Sequence, residues 1–263
     1  MNPSRFSQIY HYMTLLIVFL IMAIPIVTTL IYALSSSWGA SILPDSLSFK
    51  WFVQLWQDAR FLAALGRSLL ISCAAIVLTF VLLLPLIFFV TYYAPKSQKI
   101  MNFVILIPFA MPPIVSSIGL MQIYSEPPFL LTGTPWILLG CYFTIALPFV
   151  YRSIINSVQT LAIHDLIDCA TLFGANKFYA FLRIILPNLR HGVLSGLLLA
   201  FSFLIGEFVF ANILVGNRFE TLQVYLFNMN GKSGHFASAI LSSYFFLVML
   251  LSFIVMRVNR KKG

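Results

Sequence analysis

Glu207 is the one acid inside a long apolar run, within Phe203-Leu204-Ile205-Gly206-Glu207-Phe208. An ionisable group in such a run is costly and marks a functional site by default. Its carboxylate could gate a pathway or contact a cationic cargo; it could equally bond a neighbouring helix or a partner subunit. The other reactive residues form no constellation. His11, His164, His191 and His235 are too dispersed for a metal site. Cys73, Cys141 and Cys169 share no paired or ligand spacing, and Cys73 and Cys141 fall in apolar runs as small packing residues. Gly231-Lys232-Ser233 has the ending of a phosphate-binding loop, but the position of its first glycine holds Leu226, and no buried strand precedes it. No nucleophile–base pair and no paired carboxylates occur in the apolar runs. No catalytic site, metal or bound cofactor is therefore expected.

The elements that position these residues follow from composition. The chain has 263 residues, 60% hydrophobic and 9% charged, with mean hydropathy +0.97. Soluble domains carry about 25% charged residues, so this is an integral membrane protein. The apolar residues come in continuous runs rather than alternating, which favours helices over a transmembrane barrel. The net charge of +9 is scattered over loops, where bases set topology and no nucleic acid is implied.

About 20 apolar residues cross a bilayer core. Six stretches qualify, predicting an all-α, polytopic chain with spans at 13–34, 65–93, 101–124, 135–151, 192–215 and 237–256. Pro85 interrupts the second, while Pro108, Pro112 and Pro113 interrupt the third. Kinked helices need protein neighbours, so Pro112, Pro113 and Ser116 are candidates to line a pathway. Gly192, Gly196 and Ala200 make a small-residue face suited to close helix packing. The first apolar run is long enough to span and no small-residue cleavage site follows it, so no cleavable signal peptide is expected. With the N-terminus cytoplasmic, eleven of sixteen Lys and Arg fall on that side and five outside. That predicts cytoplasmic termini and a cytoplasmic 156–190 segment. Trp38, Trp51 and Trp56 then lie in the first outer loop, where 47–64 is expected to form a surface helix.

The 156–190 segment reads as two short amphipathic helices. Ile163, Leu166, Ile167, Ala170 and Phe173 stripe the first, which Gly174 can end. Asn176 is placed to cap a second, Lys177 to Leu186, striped by Phe178, Phe181, Leu182 and Ile185 before Pro187 breaks it. Pattern alone leaves two readings, a loop folded back on the bundle or a docking knob.

Asp168-Cys169-Ala170, three residues, Gly174-Ala175, the aromatic Phe181, then Ile184, Leu186 and Pro187 resemble the coupling-loop signature of permease subunits of bacterial ATP-binding cassette importers. That signature runs Glu-Ala-Ala, three residues, Gly, and later Ile-x-Leu-Pro. Here Asp168 keeps the charge with a methylene less reach, and Cys169 keeps a small side chain. The resemblance implies one permease domain over 1–263 with type I, MetI-like architecture in a bacterial inner membrane. It implies that Asp168 meets a separate ATPase, Gly174 permits the turn, and the aromatic stripe, Phe178 included, fills the ATPase groove. ATP would be bound by that partner. A second permease, identical or homologous, and an extracytoplasmic solute-binding protein touching the loops at 35–64 and 216–236 complete the implied complex. The closest likeness is to polyamine (spermidine/putrescine) importers, with phosphonate, ferric iron and inorganic oxyanion importers as alternatives. A stand-alone secondary transporter or channel would lack the signature and would show inverted repeats or several charges within its spans.

Overall fold

The computed structural model describes residues 5–39, 44–231 and 233–260, and among these it is helical with no strand beyond an isolated bridge between Ser35 and Leu47. In chain order the helices are α1 (Arg5–Leu34), α2 (Lys50–Gln57), α3 (Ala59–Tyr92), α4 (Gln98–Val104), α5 (Ile107–Ala110), α6 (Pro113–Tyr124) and α7 (Pro135–Gln159). There follow α8 (Ile163–Leu172), α9 (Lys177–Ala180), α10 (Leu186–Asn188), α11 (Arg190–Ile205), α12 (Leu222–Asn230) and α13 (Gly234–Arg260). Wide π-turns occupy Phe181–Ile185 and Ala211–Val215.

Four helices are long and apolar enough to span, at Tyr10–Leu34, Ala59–Tyr92, Pro135–Gln159 and Gly234–Ile254. The number rises to six when two bent pairs are each counted as a span: Pro95–Ala110 with Pro113–Tyr124, bent by 87°, and Lys177–Asn188 with Arg190–Ile205, bent by 68°. The third expected span is thus broken, not merely kinked. Each residue before a proline is pushed to extended backbone, and Met111 (ψ 131°) and Pro112 (ψ 135°) both adopt it. Pro113 then restarts the helix at its first turn, where the missing N–H costs nothing. By contrast α3 runs unbroken through Pro85, against the expected interruption, because a lone proline removes only one helical bond. The fifth span, expected to reach 215, ends at Ile205 and resumes past Glu207. The expected surface helix over 47–64 also divides. Asp58 is extended, and its carboxylate accepts from the N–H of Arg60 (2.8 Å) and Phe61 (3.4 Å), capping α3 and leaving α2 as a separate short helix.

The chain forms two compact units, Met1–Leu62 with Leu226–Met249, and Ala63–Tyr225 with Leu250–Gly263. In the first, the His235 ring is stacked between Tyr32 (4.0 Å) and Trp51 (5.7 Å). Trp51 Nε1 donates to the Ser35 carbonyl at 2.9 Å, and His235 Nδ1 lies 3.0 Å from Ser35 Oγ. These bonds tie α2 and the start of α13 to the end of α1. Elsewhere α1 leaves Leu15, Phe19 and Met22 exposed, a face suited to lipid rather than water.

In the second unit, α11 packs on α7 through the small-residue face. A Cβ on Gly192 would lie 2.7 Å from the Ser153 carbonyl oxygen, and one on Gly196 3.2 Å from Val150 Cα. The backbones meet because side chains are missing. Around this contact Tyr142, Tyr151, Ile154, Leu204 and Ile205 are buried.

Candidate functional site

Between α7 and α11 the chain builds the two-helix segment. The α8 helix ends in a Schellman cap: Gly174, at φ +83°, donates to the Thr171 carbonyl at 2.9 Å, and Ala175 donates to the Ala170 carbonyl at 3.0 Å. Only glycine takes that conformation without a Cβ penalty. Asn176 then caps α9, its Oδ1 accepting from the Phe178 N–H at 3.1 Å. From Lys177 the backbone continues helical through the π-turn to Asn188, so Pro187 lies inside the last turn rather than ending it.

The segment is anchored on the C-terminal end of α3. The Tyr92 hydroxyl donates to Asp168 Oδ1 at 3.2 Å, the His164 ring stacks on Tyr92 at 5.2 Å, and Lys177 Nζ lies 5.0 Å over the same ring. One turn earlier, Phe88 packs on Phe181 at 4.5 Å and stacks with Tyr92 at 5.9 Å. Tyr92 and Phe88 were not among the sequence candidates. Their signal is the Phe-Phe-x-x-Tyr-Tyr run at the end of the second apolar stretch, aromatic pairs at helical spacing.

The stripes are only partly as expected. Ile163, Ile167 and Ala170 are buried, whereas Phe173 is 88% exposed beside Leu172, 87% exposed. Phe181, Ile185 and Leu189 face inward, while Phe178, Tyr179 and Leu182 are exposed. The π-turn adds a residue per turn and rotates Phe178 and Leu182 off the buried face. Of the remaining motif residues, Cys169 and Pro187 are exposed, and Ala175, Ile184 and Leu186 are half-buried. Leu172, Phe173, Phe178, Tyr179 and Leu182, all outside the six apolar stretches, are large apolar side chains left exposed.

Glu207 occupies the break after α11. Its carboxylate accepts from the N–H of Phe210 at 2.8 Å and Ala211 at 3.1 Å. The buried Tyr142 hydroxyl bonds the same group. The carboxylate therefore caps the helical turns that follow, one oxygen to each of two backbone donors. Glu207→Ala should leave two backbone donors in want of a partner and lower stability by about 2 kcal/mol. Thermal unfolding of the purified complex checks this; unchanged stability with an altered cargo KM would place the carboxylate in the pathway instead. Pro112 and Pro113 form the bend described above, and half-buried Ser116 donates its N–H to the Pro112 carbonyl at 3.1 Å. Gly231 follows α12, not a strand, and Lys232 lies outside the described residues. Among the described residues no group of three or more His, Cys, Asp or Glu could hold a metal.

A helical membrane chain with broken third and fifth spans and a capped two-helix knob has the fold of an ATP-binding cassette importer permease. Over 98% of its length it superposes on 99% of a chain from a bacterial ABC transporter involved in the import of the acidic polysaccharide alginate, with TM-score 0.75 and 16% identity. Residues 89–262 match the binding-protein-dependent transport system inner membrane component family, and the chain belongs to it. It is a multi-pass inner-membrane permease. Among its relatives is PhnV of Salmonella typhimurium, a permease assigned to a 2-aminoethylphosphonate transport system, 26% identical over 90% of this chain and 88% of that protein. A cysT permease of Prototheca wickerhamii, assigned to sulfate transport, is 33% identical over 45% of this chain and 50% of the relative. NifC of Clostridium pasteurianum, assigned to a transport system, is 26% identical over 66% of each.

Proposed function

We propose that the chain is one of two permease subunits of an importer for a small oxyanion, with 2-aminoethylphosphonate the best-supported cargo. The likeness to PhnV over nearly the whole of both chains carries this reading. The sequence-level likeness to polyamine importers is the weaker guide, since none of the three relatives carries a polyamine assignment. Glu207 argues the same way: its carboxylate is committed to backbone donors and Tyr142, which removes the one acid that would draw a polycation into the spans.

In this reading the chain is a single permease domain with both termini cytoplasmic. Residues 156–190 form the coupling loop, with Asp168 and Gly174 in the roles given above. A separate ATPase subunit seats on Leu172, Phe173 and Phe178, and its closure moves the loop. The Tyr92–Asp168 bond and the Phe88–Phe181 contact pass that motion to α3. An outer binding protein delivers cargo, and this chain itself performs no chemistry and binds no cofactor.

Uptake by a deletion strain tests the cargo. Restoring the gene should restore accumulation of labelled 2-aminoethylphosphonate and leave putrescine uptake unchanged. Restoration of putrescine uptake alone would overturn the oxyanion reading.

A further inference from the structure

The second unit holds a cleft of about 630 Å³ that no part of the coupling loop touches. It lies where the end of α6 and the 125–134 segment meet the turns at 211–218, the far ends of the two broken spans. Two glycines shape it. Gly133, at φ +83°, donates to the Leu214 carbonyl at 2.8 Å, and Gly216, at φ +49°, reverses the chain toward Arg218. Gly133 also clears the seat of that arginine: a Cβ there would stand 2.7 Å from Arg218 Cδ and 2.9 Å from Nη1. The exposed Arg218 side chain thus lies close over the Gly133 backbone.

The rest of the wall supplies neutral polar groups. Asn212 is half-buried, and the Ser125 and Thr132 hydroxyls stand 3.3 Å apart, Thr132 donating to the Tyr124 carbonyl at 2.9 Å. Among the described residues no acid lines the cleft, although Glu126 is adjacent in sequence. An exposed cation beside the Asn212 amide, with no carboxylate among the lining residues, favours an anion and repels a polyamine. Arginine presents the planar fork that matches phosphonate or sulfate oxygens.

We propose that this cleft is a cargo subsite in which Arg218, assisted by the Asn212 amide, receives the oxyanion group of the solute on its way into the spans. The proposal rests on the oxyanion reading of the importer. The test uses the whole complex with its binding protein, reconstituted in vesicles and supplied with labelled 2-aminoethylphosphonate. Arg218→Gln should lower uptake about ten- to hundredfold, the worth of a charge-assisted contact, while Arg218→Lys, which keeps the charge and loses the fork, should fall between that variant and wild type. Wild-type uptake matched by Arg218→Gln would overturn the subsite and leave the oxyanion reading standing. Equal loss in both variants would overturn it too, marking Arg218 as a residue that folds the loop. A wild-type complex that imports putrescine and no oxyanion would overturn the cargo reading and this inference with it.

Discussion

Leu172→Glu combined with Phe173→Glu is expected to abolish uptake while the permease itself stays folded. Both side chains are almost fully exposed, at 87% and 88%, so the isolated chain loses no packing when they change. Surface substitutions of that kind stay within about 0.5 kcal/mol. At a partner surface the balance reverses. Large apolar anchors contribute about 2 kcal/mol each when seated in a partner's pocket, so losing two weakens the ATPase interface about a thousandfold. Placing carboxylates there adds a desolvation penalty on top. Co-purification of the ATPase with the tagged double variant, beside the variant's melting temperature, checks both halves. An ATPase retained at wild-type yield would show that this cluster is not the docking surface.

Gly192→Leu should be the most damaging single change in the spans. The Cβ alone would meet Ser157 Oγ at 2.5 Å and the Ser153 carbonyl oxygen at 2.7 Å. A serine can rotate, but the carbonyl belongs to the α7 backbone and cannot yield without parting the helices. Overpacking of this kind costs about 3 kcal/mol, a large share of a stability that is commonly about 5–15 kcal/mol. The expected result is a sharply lower melting temperature and little folded protein recovered from membranes. Gly140→Leu is the control, because nothing lies within 4 Å of a Cβ there. Equal behaviour of the two variants would contradict the close packing of α11 on α7.

The features legible in the sequence are those fixed by a few neighbouring residues. Gly174 and Asn176 could be read as a stop and a start because a left-handed cap and a side-chain N-cap are local backbone chemistry. Six apolar stretches gave a membrane helix bundle for the same reason. The partner of Asp168 could not be read, because Tyr92 is brought to it only by folding across 76 positions. The faces of the second short helix were assigned on a 3.6-residue period. The π-turn at Phe181–Ile185 changes that period, so Phe178 and Leu182 face outward although the pattern grouped them with Phe181. Pro112 and Pro113 announced a disturbance but not its size. The 87° bend needed the backbone angles of Met111 and Pro112. Glu207 was visible as an anomaly, but its role was not. A carboxylate in a span reads as a pathway group until the helix is seen to break beside it and offer two N–H groups.

In the proposed importer, the 156–190 segment is where the ATPase meets this permease. A photo-crosslinking amino acid at position 173, in the assembled importer, tests it most directly. The expected result is a cross-link to the ATPase subunit whose yield changes when ATP is bound. A cross-link to the outer binding protein, or none to the ATPase in a complex that still imports, would contradict it.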